Sequence, residues 1–233
     1  MQIKIMTFNI HHGEGTDQRI DLDRQAAIIQ KSQAEIVFLQ EVDKDTRRSY
    51  GLDEAKVLSN KSGFEYYVFG KNMDFDGGEY GNAILSQFQL EQPNNYSLPQ
   101  PLFPGGHRES RGLLQVEVIV NKAKFVLLGT HFSLYERERL IQVDFVLKII
   151  NQVSASVPII LAGDLNCSET SKEISKISQC LTDTYKVTNH NLSSSNRIDY
   201  IFFRGPYRIT AFADIQTVAS DHNPLVATFS SNP

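Results

Sequence analysis

Cysteine is scarce in this chain. Cys167 and Cys180 are the two among 233 residues. That excludes a disulfide framework or a cysteine metal cage, and reduced, incidental thiols are the expectation. Long basic runs are missing too: Arg47–Arg48 and the stretch Glu136–Arg139 are the densest charge clusters. With 23 Lys+Arg against 27 Asp+Glu, the formal net charge is −4. Composition therefore carries no electrostatic footprint for nucleic acid, although scattered residues can still build a basic groove. No apolar stretch reaches membrane-spanning length, so no spanning helix is expected. The opening "MQIKIMTFNI" lacks a basic segment followed by a long apolar run,. A cytoplasmic location is the default expectation only, since a leader removed ahead of this sequence would direct it elsewhere. Low-complexity tracts, tandem repeats and a clear interdomain linker are likewise absent.

What is present is ordinary globular material, 41% hydrophobic and 21% charged,. The length suits one domain over residues 1–233 with a sizeable core. Strand-length apolar runs recur at Ile3–Phe8, Ile36–Leu39, Ala83–Leu85, Leu113–Val120, Phe125–Leu128, Pro158–Ala162, Ile198–Phe203 and Leu225–Phe229. Several are nearly continuous, as strands covered on both faces should be. "GLLQVEVIV", "NKAK" and "FVLLGTHF" together read as a hairpin,. Helical spacing marks Asp21–Lys31 and Glu136–Val153, and Thr170 to Glu173 has capping-box spacing,. Strands mixed with helices predict α/β layers, and the hairpins argue against a purely parallel sheet. Two long loops are expected, Gly70–Gly81 and Gln92–Ser110, and loops of that length usually carry function.

The chemistry sits at strand ends. Asn9 ends the first run, Gln40–Glu41 the second, and Thr130–His131 follows Phe125–Leu128. Pro158–Ala162 leads into Gly163–Asp164–Leu165–Asn166, Asp199 lies inside "RIDYIFF", and Asp221–His222 precedes the last run. Each alone has a plain structural reading as a turn, cap or solvated end. Together they place carboxylates, amides and imidazoles on rigid platforms that can converge on one cleft. Glu41 with the neutral amide of Asn9 is a hard oxygen site suited to Mg²⁺ or Mn²⁺, and no histidine-rich cage for zinc is evident. Asp164 can orient or deprotonate a water, with Asn166 holding that geometry. His222 can donate to a phosphate oxygen, with Asp199 fixing its tautomer and favouring its charge. His131 can serve as a second donor.

The motifs "TFNIHH", "LQEV", "GNAILS", "GTHF", "GDLN", "RIDYIF" and "SDHNPL" run in order from Met6 to Leu225. In that order they resemble the endonuclease/exonuclease/phosphatase superfamily, which includes DNase I, AP endonucleases, sphingomyelinases and inositol-phosphate phosphatases. The resemblance implies one hydrolase domain with a DNase I-like, four-layer α/β/β/α sandwich: two mixed sheets face each other with helices outside. It implies Glu41 as principal metal ligand with Asn9 beside it and Asp221 near the metal. It also implies His131, Asp164, Asn166, Asp199 and His222 as the catalytic set. Either Asp164 or the Asp199–His222 pair qualifies as general base, and one or two metal ions fit.

Two departures argue against abasic-site repair: His11 stands where an acidic residue or Asn is usual, and Val42–Asp43 where a Lys is usual. "RRSYGLDEAKVLSNKSGF", "GGEYGNAILS" and "ESRGLLQVEV" resemble instead a bacterial branch of small hydrolases. That branch is similar to the hydrolase domain of proteins linked to remodelling of glycosylphosphatidylinositol anchors. By that likeness Arg48, Asp53, Tyr80, Asn82, Glu109 and Arg111 line the pocket. The expectation is a monomeric phosphoesterase requiring Mg²⁺ or Mn²⁺ and acting on a small or lipid-derived phosphoester. A nuclease of the same fold is the alternative, and a non-catalytic binding module the next.

Overall fold

The computed structural model describes residues 2–101, 108–188 and 197–231. One six-stranded sheet runs β11(Tyr207–Asp214)–β12(Leu225–Ser231)–β1(Gln2–Asn9)–β2(Ile36–Lys44)–β4(Gly78–Ser86)–β3(Tyr66–Phe75). The other runs β5(Leu90–Ser97)–β6(Gly112–Val120)–β7(Ala123–His131)–β8(Ile159–Asp164)–β10(Asp199–Arg204)–β9(Thr182–Asp183). Each sheet is mixed. Its one parallel pair, β1 with β2 or β7 with β8, is flanked by antiparallel neighbours. A helix makes each parallel crossover, α1(Leu22–Ser32) in the first case and α3(Glu136–Gln152) in the second. α2(Glu54–Ser62), α4(Lys172–Ile177) and α5(Thr184–Val187) are the other α-helices among the described residues.

Three apolar clusters separate four layers. Ile3, Ile5, Phe38 and Ile84 meet Leu127, Ile160, Ile201 and Phe203 between the sheets. Leu22, Ala26 and Ile29 of α1, with Ala55 and Leu58 of α2, cover the other face of the first sheet through Met6, Phe8, Val37 and Leu39. Val143, Val146 and Ile150 of α3, with Ile174 and Ile177 of α4, cover the second sheet through Leu128, Leu161 and Tyr200. This is the DNase I-like α/β/β/α sandwich. Strands buried on both faces explain why their sequences are nearly continuous apolar runs. Gly129 keeps the sheets close, because a Cβ there would meet Phe38 at 3.1 Å.

Three expectations need correction. Gly70–Gly81 is no loop: it spans the β3–β4 hairpin, whose tight turn is Asp76–Gly77, both left-handed. That dipeptide is itself a hairpin signal, overlooked beneath the polar composition around it. Most of the first half of Gln92–Ser110 belongs to edge strand β5, where Pro93 falls within a bulge between Glu91 and Asn94,. Residues 102–107 of that expected loop lie outside the described residues. The cap of α4 is Ser171, whose Oγ accepts from the Ile174 amide at 3.3 Å, rather than Thr170. Glu173 is instead bonded by Arg139 at 2.8 Å.

Candidate active site

Period-two alternation aims the polar strand ends into the gap between the sheets. On β1, Ile3 and Ile5 face that gap, so Thr7 and Asn9 follow on the same side,. On β7 the series is Phe125, Leu127, Gly129, His131; on β8 it is Ile160, Ala162, Asp164. β10 begins with Asp199 ahead of inward Ile201 and Phe203. Register finishes the convergence: Asn9 pairs Gln40, His131 pairs Asp164, and Asp199 pairs Asp164.

Glu41 breaks the alternation. Gln40 has the inward phase, so an unbroken strand would turn Glu41 toward the helices. A bulge between Leu39 and Val42, with Glu41 left-handed at φ 57°, rephases the strand,. Glu41 Oε1 then accepts from Asn9 Nδ2 at 2.9 Å, while Val42 rejoins the helix-facing cluster. A glutamate on such backbone costs about 1–2 kcal/mol, a strain typical of functional positions.

Asp164 is the hub. Its Oδ2 accepts from Asn9 Nδ2 at 3.2 Å and lies 3.3 Å from His131 Nε2 and 3.7 Å from His222 Nε2. Its Oδ1 accepts from the Asn166 amide at 2.9 Å, with Asn166 left-handed at φ 49°. Burial, seconded by the charge of Asp199, lifts its pKa to about 7, against the pull of His222, Asn166 and Asn9. His222 Nδ1 bonds Asp199 Oδ2 at 2.8 Å. Burial lowers the pKa of His222, but the hydrogen bond and charge of Asp199, backed by Asp164 and Asp221, win and raise it to about 9. Burial, then Arg111 and His222, hold His131 well below the usual imidazole range. His131 is neutral, and its Nε2 accepts from Asn166 Nδ2 at 3.0 Å.

Asp221 is half exposed, 3.9 Å from His11 Nδ1, and its Oδ1 accepts from Ser220 Oγ at 3.3 Å. Ser220 Oγ also donates to the Asn9 carbonyl at 2.8 Å, tying the "SDHNPL" segment to β1. His11 and His12 stand beside Glu41, with ligand atoms of all three within 4.8 Å of one another. His12 carries no signal in the sequence, where no histidine-rich site is evident, because its place beside Glu41 depends on the bulge. The donors fit a divalent cation: a carboxylate, an amide oxygen nearby, and buried His11 and His12 Nδ1 atoms without a hydrogen-bond partner,.

The expected pocket residues lie near one another, with one exception. Arg48 forks onto Asp43 through Nε at 2.6 Å and Nη2 at 2.8 Å, with its guanidinium 4.4 Å from the Phe75 ring centre and 5.5 Å from that of Tyr80. Arg111, buried, pairs with Glu109 and keeps a buried Nε without a partner. Burial pushes Tyr80 and Glu109 up, and both feel the charges of Glu41 and Arg111. Asn82 Nδ2 donates to the Gly112 carbonyl at 3.3 Å. Asp53 makes no contact with this set among the described residues: its Oδ1 caps α2 by accepting from the Lys56 amide at 3.0 Å.

Two supports went unread in the sequence. Buried Asp43 takes Thr46 and Ser49 hydroxyls, both at 2.6 Å, besides Arg48. Buried Glu54 accepts from the Asp43 amide at 2.7 Å, and burial lifts its pKa to about 8.

The arrangement can hold a cation against a phosphate, position a water on Asp164 and supply a cationic donor from His222. Comparisons with known proteins identify the family. The uncharacterized protein YbhP of Escherichia coli strain K12 is 26% identical over 218 residues, covering 86% of this chain and 75% of that protein. A 5′-tyrosyl-DNA phosphodiesterase of Caenorhabditis briggsae is 26% identical, covering 99% of this chain and 70% of its own length. The crystal structure of an endonuclease/exonuclease/phosphatase from Beutenbergia cavernae superposes with a TM-score of 0.83 at 24% identity, covering 99% of this chain and 72% of that one. The model of the Endonuclease/Exonuclease/phosphatase family matches residues 6–222, and the chain belongs to that family.

Proposed function

We propose that the chain is a divalent-metal-dependent phosphoesterase, acting on a small or lipid-derived phosphodiester or phosphomonoester. The observation that carries this is Asp164 Oδ2, set within 3.7 Å of Asn9 Nδ2 and of the Nε2 atoms of His131 and His222 at one edge of the sandwich. Glu41, with Asn9 and Asp221, would hold Mg²⁺ or Mn²⁺, which supplies charge neutralisation at a phosphate oxygen. Asp164 takes the proton of the attacking water as the new O–P bond forms and the ester P–O bond breaks. His222 is held as imidazolium, so it is a poor proton acceptor, which favours Asp164 over the dyad as base. The 3.7 Å between Asp164 and His222 is too short to flank an in-line displacement,. His222 therefore donates to a non-bridging oxygen on the attacking side and stabilises the charge that develops there. Asn166 fixes Asp164 through its amide, and His131 and Arg111 line the phosphate wall.

The test is a substrate panel in Mg²⁺, Mn²⁺ or excess chelator: bis-nitrophenyl phosphate, phospholipid head-group esters, sugar phosphates and plasmid DNA. Metal-dependent turnover of the small or lipid-derived esters, exceeding that of DNA, is expected. A second reading, cleavage of nucleic-acid-derived phosphodiesters, is favoured by the likeness to the C. briggsae enzyme, and preferential DNA turnover would establish it. Full activity in chelator would remove the metal from the mechanism.

A further inference from the structure

His11, His12 and Gly13 form a run of left-handed backbone, with φ of 46°, 42° and 82°. Glycine adopts this freely; two successive histidines do so at a cost that persists only where the surroundings enforce it. They do. Buried Gln25 Nε2 donates to the Ile10 carbonyl at 2.7 Å and the Ala219 carbonyl at 2.9 Å. The His11 amide donates to Asn9 Oδ1 at 3.1 Å. A Cβ on Gly13 would meet Ile20, Leu22 and Glu54 at 3.1–3.2 Å. The turn is thus clamped from β1, α1 and the segment before β12.

The clamp delivers two imidazoles to Glu41, itself left-handed. The rings lie 4.5 Å apart edge-on, and the Nδ1 of each is buried without a hydrogen-bond partner. An unpaired buried nitrogen is costly unless something else takes its lone pair or proton. His11 Nδ1 is 3.9 Å from Asp221, and His12 Nε2 is 3.6 Å from Glu14, too far for a hydrogen bond in either case,. Arg48 and Asp43 also face His12 electrostatically, and their charges offset each other. Ligand atoms within 4.8 Å of one another need only a small rotamer closure to share one ion,.

We propose that His11 and His12 are direct metal ligands beside Glu41, forming a two-imidazole, one-carboxylate site that selects Mn²⁺ and other first-row transition dications over Mg²⁺. Imidazole suits the later first-row dications best; Mn²⁺ is the weakest binder of that row, but it accepts nitrogen more readily than Mg²⁺, which demands oxygen ligands in near-ideal octahedral geometry. This rests on the metal-dependent reading above and assigns the identity of its ion.

Mn²⁺ titrated into the metal-free protein, followed by electron paramagnetic resonance, tests it. The expected spectrum shows nitrogen coupling that changes when histidine is labelled with ¹⁵N, and Mg²⁺ competes at least about 10-fold less well than Mn²⁺. His11→Ala and His12→Ala should each weaken Mn²⁺ binding about 10-fold or more, remove part of the coupling and change Mg²⁺ affinity less. The wild-type spectrum needs no variant, so a misfolded substitution cannot obscure the answer. Mn²⁺ bound without histidine coupling, or no more tightly than Mg²⁺, overturns the proposal. If Mg²⁺ then still restores hydrolysis lost to chelator, the phosphoesterase reading stands without it; hydrolysis undiminished by chelator sinks both.

Discussion

Asp199→Asn is the sharpest perturbation of this site, because it keeps the shape of the side chain and removes one charge. Burial acts to lower the His222 pKa, yet Asp199, Asp164 and Asp221 together bring it from 6.5 to about 9. A lift of that size favours imidazolium by about 3 kcal/mol. A raised pKa means that the charged form, and the stability it contributes, is fully present below the ordinary value and lost as pH rises through the raised one. Without Asp199 that window moves down. If His222 returns to 6.5, its protonated fraction at pH 8 falls from about 0.9 to about 0.03. Through His222 alone, activity then drops about 30-fold at pH 8 but less than about 2-fold at pH 6; relief of Asp164 from the Asp199 charge favours its ionised form and further spares activity at pH 6,. The assay is kcat/KM on bis-nitrophenyl phosphate across pH 5.5–9.5 at one metal loading, with His222 titrated by NMR in the metal-free protein. His222→Ala should cost about 10²-fold, and the double substitution little more, since the pair acts as a unit. Equal losses at pH 6 and pH 8, an unmoved His222 titration, or fully additive losses would refute the dyad.

Excess chelator should abolish turnover, and Glu41→Gln should weaken metal binding while leaving the metal-free melting temperature intact; unchanged ion affinity in that variant would remove Glu41 as a ligand. Glu54, raised from 4.5 to about 8 by burial, contributes stability present below pH 4.5 and lost as pH rises toward 8. Glu54→Gln does not titrate, so in urea denaturation it should gain on wild type by about 1.4 kcal/mol per pH unit across that window, to a total of order 5 kcal/mol; a pH-independent difference would contradict the buried carboxyl. Gly163→Ala should destabilise by about 4 kcal/mol or more, because φ is 148° and the added Cβ would lie 1.8 Å from the Thr130 carbonyl oxygen; a melting temperature near wild type would show that β7 and β8 can separate there.

Much of this was legible because alternation and strand ends are local signals. Inward Ile5, Leu127 and Ile160 predict the faces of Asn9, His131 and Asp164 by simple period-two counting,. Asp21 at the start of α1 could be read directly, as its side chain accepts from the Asp23 and Arg24 amides. α2 could not: "EAKVLSNKS" has few apolar residues, and its amphipathic face is thin,. β11, half exposed at a sheet edge, carries the same weak signal. In the site, the missing information was conformational. Nothing in "LQEVD" announces that Glu41 occupies a bulge, and His12 matters only because that bulge brings Glu41 to it. Asp43 and Glu54 read as surface charge near Lys44, yet both are buried, and the clamp on Arg48 depends on them.

The two sheets explain why the chemistry collects at one edge. Read outward from their parallel pairs, they share one order: antiparallel β12 or β6 beside β1 or β7, then β2 or β8, then antiparallel β4 or β10. In each, two parallel strands end side by side, where crossover helices leave backbone and side chains free. One pair delivers Asn9 and Glu41, the other His131 and Asp164. The antiparallel neighbours start where those strands end, so β10 opens with Asp199 and the approach to β12 brings His222. Asn9 Nδ2 spans the seam, donating to Glu41 of its own sheet at 2.9 Å and to Asp164 of the other at 3.2 Å. That single amide separates two carboxylates that would otherwise repel, and it couples the Glu41 side of the site to the Asp164 side. An aspartate there would add a third negative charge and remove the donor, which is the physical reason an uncharged amide suits this position.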